Sequence, residues 1–189
     1  MDYINKLTDE IFERKPLIFI VDDVARNIQL LSMVLSRHNY EIAFAVNGFQ
    51  ALEMLERICP DVILLDVMMP GMDGFEVCSK LKANPATAET PVIFLTGRAA
   101  VEDINKGFAL GAVDYISKPF NAEELLSRVK THVELKQNHD MKDSLIELLQ
   151  STVARFKSIA DLIPEGSEAD GTDAIATKIE KFVRDNIPE

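Results

Sequence analysis

Between residues 17 and 132, short apolar runs alternate with longer segments of helical period, and this alternation limits the possible folds more than any other feature. The runs are Leu17–Val21, Glu41–Ala45, Val62–Leu65, Val92–Leu95 and Val113–Ile116. Helical stretches at Asn27–Arg37, Phe49–Ile58, Phe75–Lys82 and Glu102–Leu110 lie between them. Each is spaced for the right-handed crossover that joins parallel strands. A fifth helix starts at Asn121, whose side chain caps the first turn while Glu124 reaches back to complete a capping box. The expected class is α/β: a doubly wound, five-stranded parallel sheet with helices on both faces.

After residue 132 no strand-like run appears. Leu145, Leu149, Thr152, Phe156, Ile159 and Ile163 follow steps of four and three, the spacing of a coiled-coil seam. The same residues also suit an amphipathic helix packed on its own domain, and both readings stay open. The expected organisation is a short helical segment at 1–16 (Ile4, Leu7, Ile11, Phe12), a domain at 17–135, a helical extension at 136–163, a linker at 164–172 and a short amphipathic helix at 173–189 (Ile175, Ile179, Phe182, Val183).

Composition removes several classes of function. The 189 residues are 47% hydrophobic and 27% charged, ample for a packed core. A formal net charge of −11, with no stripe of Lys and Arg, repels phosphate backbones and anionic lipid and argues against direct nucleic-acid binding. No apolar run reaches the roughly 20 residues that span a bilayer. The first residues lack a signal-peptide pattern, so a cytoplasmic location is expected. Cys59 and Cys78 sit in no metal-ligand or disulfide spacing and are expected to be small buried thiols.

In an open parallel α/β sheet, ligands bind outside the carboxyl ends of the strands. Here the first run ends in Asp22-Asp23, the third in Asp66 and the fourth in Thr96, while Lys118 follows the fifth just before Pro119. Three converging carboxylates repel one another unless a cation neutralises them, which makes them a natural site for Mg²⁺. Thr96 and Lys118 add a hydroxyl and a positive charge directed at anionic oxygens, as phosphoryl transfer requires. Asp66, after a buried run, is the candidate nucleophile, since a carboxylate accepts a phosphoryl group as an acyl phosphate. Asp73 reads as a turn residue fixed by Gly71 and Gly74 rather than as a ligand.

With these residues in place the sequence resembles the receiver domain of two-component response regulators. The resemblance is carried by Ile18-Phe19-Ile20-Val21-Asp22-Asp23, by Asp61 through Gly74, by Pro91-Val92-Ile93-Phe94-Leu95-Thr96-Gly97 and by Gly111 through Phe120. It covers about residues 17–135 and implies a flavodoxin-like, chemotaxis-regulator-like (βα)5 fold. It further implies that Asp66 is the phosphoacceptor, that Asp23 ligates Mg²⁺ directly, that Asp22 does so through water and that the Met68 backbone carbonyl is a further ligand. Thr96 and Lys118 would engage the phosphoryl group, and Tyr115 would be an aromatic switch turning inward as Thr96 moves. Gly97 would leave room for phosphoryl oxygens, and Pro119 would be a cis proline that aims Lys118. Met68 and Arg98 would influence the lifetime of the acyl phosphate.

The implied partners are a sensor histidine kinase or a phosphotransfer protein, and the switched surface is the face around the fourth and fifth helices. A downstream protein partner, or a second copy held through the C-terminal helix, would receive the signal. No helix-turn-helix for DNA and no catalytic output is expected, beyond self-phosphorylation and self-dephosphorylation. Two alternatives remain: a constitutive dimeric scaffold that phosphorylation only tunes, and a metal-dependent phosphohydrolase. Glu134 and Gln137 lie at a spacing comparable with phosphatase helices, a pairing also common on solvated helix faces.

Overall fold

Each apolar run becomes a strand and each periodic segment a helix in the computed structural model, which describes residues 14–97 and 101–160, with side chains at all of these except 101, 102 and 156–160. The order is β1 (Leu17–Val21), α1 (Ala25–Ser36), β2 (Glu41–Ala45), α2 (Gly48–Leu55), β3 (Val62–Asp66), α3 (Gly74–Ala83), β4 (Val92–Thr96), α4 (Val101–Ala109), β5 (Asp114–Ser117) and α5 (Ala122–Ala160). Residues 1–13 of the expected segment at 1–16, the last three residues of the extension at 136–163, the linker at 164–172, the helix at 173–189 and Arg98 lie outside the described residues.

All five strands are parallel, in the order β2-β1-β3-β4-β5. Successive strand side chains point to opposite faces, so one sheet fills two cores. Phe19, Val21, Ile63, Leu65, Val92 and Phe94 pack against Ala51 and Leu55 of α2 and Val77, Cys78 and Leu81 of α3. Ile18, Ile20, Val62, Leu64, Ile93, Leu95 and Ile116 pack against Ile28, Leu31 and Leu35 of α1 and Leu125, Val129 and Val133 of α5. Burial on both faces is why the strands read as uninterrupted apolar runs. The topology reverses at β1, with β2 on one side and β3 on the other, so the crevice opens where the first and third strands end.

Two glycines let loops close over that crevice. A Cβ at Gly74 would collide with the Asp66 carbonyl oxygen and lie 2.9 Å from the Val67 Cα, so only glycine brings the start of α3 against the end of β3. Gly71, at φ +84°, turns the loop between them. Asp73 is the N-cap of α3: it accepts from the Glu76 amide at 2.8 Å, and the Glu76 carboxylate accepts from the Asp73 amide at 3.2 Å. Asn121 likewise accepts from the Glu124 amide at 3.0 Å, but the Glu124 carboxylate accepts from Arg128 Nε at 2.9 Å rather than completing a box.

Cys59 corrects the expectation of two buried thiols: it is exposed while Cys78 is buried. Cys59 lies in the connection after α2, next to Pro60, where the chain crosses the surface; Cys78 faces the sheet from α3.

By contacts the chain divides into two compact units, with the division between His139 and Asp140. In the second unit Leu145, Leu149 and Thr152 are exposed, as are Ile146 and Val153. The Thr152 hydroxyl donates to the Leu148 carbonyl at 2.8 Å, which ties its polar atom back to the helix. Phe156 and Ile159 lie beyond the described side chains and Ile163 beyond the described residues. Among the described residues no helix is long and apolar enough to cross a membrane.

Candidate functional site

The strand ends place acidic residues in one pocket because β1 and β3 are neighbours in register, with Val21 beside Leu65. One carboxylate oxygen from each of Asp22, Asp23 and Asp66 lies within 4.8 Å of the others. Asp22 and Asp66 are buried and Asp23 is exposed at the rim. Lys118 enters from the end of β5, and its ammonium bridges Asp22 Oδ2 and Asp66 Oδ2 at 2.8 Å each. One positive charge thus faces three negative ones.

The two buried carboxylates are held differently. Asp22 Oδ1 accepts from the Val24 amide at 2.9 Å, and the Asn27 Nδ2 donates to both Asp22 oxygens at 3.0 Å. With Lys118 on Oδ2, Asp22 has donors on both oxygens, whereas Asp23 stays open to solvent. Among the described residues, Asp66 accepts a long 3.3 Å bond from the Met68 amide besides the Lys118 contact. Burial pushes its carboxyl above the usual carboxylate range and Asp22 adds repulsion, against the pull of Lys118 and the Met68 amide. Asn27 is the residue that sequence reading missed. Its signal was weak: an amide one turn into a helix that begins directly after Asp22-Asp23.

The donor set fits a hard divalent cation: carboxylate oxygens clustered from separate strand ends, with excess negative charge and one ligand facing water. The Lys118–Pro119 peptide is cis, as expected. Thr96 is buried at the end of β4, and its carbonyl accepts from the Lys118 amide at 2.7 Å, so the two residues are coupled through the backbone. Among the described residues, a Cβ at Gly97 would meet nothing within 4 Å. The Met68 side chain projects into solvent at the rim. Tyr115 is partly buried behind the pocket, its ring 6.5 Å from Phe108 in an edge-on pair.

Residues 18–130 match the family described as "Response regulator receiver domain". This chain belongs to that family. Two curated relatives are similar to it over the receiver. One is named "Probable cyclic di-GMP phosphodiesterase", from Vibrio cholerae, 44% identical over 73% of this chain and 31% of its own length. The other is "Response regulator PleD" of Caulobacter vibrioides, 44% identical over 63% of this chain and 26% of its own. The chain therefore spans less than a third of either relative. Among solved structures, chemotaxis protein CheY4 of Vibrio cholerae superposes with a TM-score of 0.60 at 33% identity, over 62% of this chain and 98% of that one. The receiver fold expected from the sequence is the observed one.

Proposed function

We propose that the receiver takes a phosphoryl group on Asp66 from a sensor histidine kinase or a phosphotransfer protein. The observation that carries this reading is the buried, poorly satisfied Asp66 carboxylate facing the Lys118 ammonium at 2.8 Å beside two further aspartates. An Asp66 oxygen attacks phosphorus as the phosphorus–nitrogen bond of the donor phosphohistidine breaks. The imidazole leaves with the bonding pair and takes up a proton from solvent. Asp23, with Asp22 behind it, Asp66 and the Met68 carbonyl would hold Mg²⁺. When bound, that ion neutralises charge on the phosphoryl oxygens. Lys118 then exchanges its Asp66 contact for a phosphoryl oxygen, and Thr96 donates its hydroxyl to another. Gly97 keeps that approach clear. Catalysis by this region is confined, in this reading, to its own phosphorylation and dephosphorylation.

The switch has a physical route out of the site. A cavity of about 20 Å³, lined by Val67, Phe94, Thr96, Phe108, Ala112 and Tyr115 among others, lies behind Thr96. Movement of Thr96 toward the phosphoryl group enlarges the space into which Tyr115 turns, and the α4–β5–α5 face repacks. The exposed apolar residues of α5 beyond residue 140 are the second element: they support pairing of this tail with a partner or another copy.

Labelling the intact chain with a small acyl-phosphate donor tests the first part: stable incorporation should require Asp66 and Mg²⁺. Light scattering with Mg²⁺ and beryllofluoride, for the parent and Asp66→Asn, tests the second. A mass increase only with intact Asp66 supports a phosphorylation-driven dimer. A dimer in every condition makes the tail a constitutive scaffold, and sustained turnover of an unrelated phosphate ester would instead make the protein a phosphohydrolase.

A further inference from the structure

We propose that Arg128 is a positioning residue that latches Tyr115 outward and so sets how readily the receiver enters its switched state. This rests on the reading of Tyr115 as the switch, but it concerns a side chain that the acidic pocket does not use.

Arg128 sits on α5 with its guanidinium spread over three neighbours. Its Nη1 donates to Asp114 Oδ1 at 2.6 Å, its Nε donates to Glu124 Oε1 at 2.9 Å, and its Cζ lies 5.7 Å from the centre of the Tyr115 ring. Asp114 fixes this geometry from the strand side. It accepts from the Tyr115 amide at 2.8 Å and faces His132 Nε2 at 3.3 Å. Burial pushes the Asp114 carboxyl up, but Arg128, the Tyr115 amide and His132 outweigh it and hold it below its usual range. The carboxylate is therefore a firm anchor. Two acidic partners pin the cation over the ring, and Phe108 forms an edge-on pair with the same ring at 6.5 Å.

Behind the ring lies the cavity at Thr96, about 20 Å³, room for about one water and far too small for a phenol. Inward rotation thus breaks the Arg128 contact and also needs the cavity to open. A guanidinium over an aromatic face at a part-exposed site biases an equilibrium by about two- to five-fold. Arg128 should hold the outward state by that factor, acting on the phosphorylation site only through Tyr115.

Fluorotyrosine labelling of the intact chain gives three signals, from Tyr3, Tyr40 and Tyr115. Tyr115→Phe assigns the third. Beryllofluoride with Mg²⁺ should move the Tyr115 signal of the parent. Arg128→Met, which keeps the aliphatic stem, should move it part-way without beryllofluoride and raise the initial rate of labelling by an acyl-phosphate donor about two- to five-fold. Arg128→Lys, which keeps the charge, should stay near the parent on both readouts. An unchanged signal and rate in Arg128→Met, with the parent's circular dichroism, overturns the latch. A parent whose Tyr115 signal ignores bound beryllofluoride overturns the switch as well, which separates the two failures.

Discussion

Two buried aspartates at opposite ends of the same strand are held in contrasting ways. Asp61, just before β3, is 1% exposed; Asp66, the last residue of β3, is 4% exposed. Asp61 accepts from both terminal nitrogens of Arg14, at 3.0 and 2.6 Å, and from the Leu17 amide at 2.7 Å. Asp66 has one long amide bond, a lysine shared with Asp22 and a like charge beside it. Burial is nearly equal, so burial does not by itself distinguish the proposed phosphoacceptor. What differs is satisfaction: Asp61 has its hydrogen-bond demand met and clamps the chain entering β1, whereas Asp66 is left with charge to share.

That contrast can be broken. The largest expected effect is on chemistry: Asp66→Asn should reduce phosphoryl incorporation to background, while folded Asp61→Asn should still incorporate. Labelling of both variants checks this, and incorporation by Asp66→Asn would end the distinction. Next comes stability. Asp61→Ala strands the Leu17 amide and frees Arg14, and should cost about 2–3 kcal/mol in urea unfolding. Arg14 is itself half exposed, which keeps the loss below that of a fully buried pair.

Mg²⁺ should also separate the two aspartates. At a hundred times its dissociation constant it should stabilise the parent by about 2.7 kcal/mol. Asp23→Ala should lose most of that gain and Asp61→Asn should keep it, as read by melting with and without the ion. The smallest effect is a pH dependence. Because the Asp66 carboxyl is raised above its ordinary 3.8, the folded chain binds more protons than the unfolded one between 3.8 and the folded value, and stability falls as pH rises through that window. Asp66→Asn removes the penalty. Without Mg²⁺ it should be more stable than the parent at neutral pH, with the gain vanishing as pH falls toward 3.8. A gain that persists undiminished below 3.8 would place its cause elsewhere.

Strand and helix placement was legible to within a few residues. Val62–Leu65 became Val62–Asp66 and Val113–Ile116 became Asp114–Ser117, shifts of one residue at ends where pairing extends past the apolar run. The site residues at the strand ends were legible for the same reason: a parallel sheet fixes where its carboxyl ends are. Asn27 and Arg128 were not, because each meets its partners on another element or across a turn, and nothing in their own neighbourhoods distinguishes them from solvated side chains. Asp73 was legible as a turn residue, and the structure refines that to a helix cap.

Local patterns along the chain specify which segments are strands and helices and that carboxylates, a hydroxyl and a lysine stand at strand ends. Those features are written in short uninterrupted apolar runs, in a local period of 3.6 residues and in single-turn caps. Only the tertiary structure decided which charges meet. Lys118 reaches Asp22 across 96 residues and Arg14 reaches Asp61 across 47. Both pairings depend on β1 lying beside β3 and on which way each strand end faces. Charge satisfaction is a property of neighbours in space, so the difference between a fully paired aspartate such as Asp61 and the proposed phosphoacceptor Asp66 appears only once the sheet is assembled.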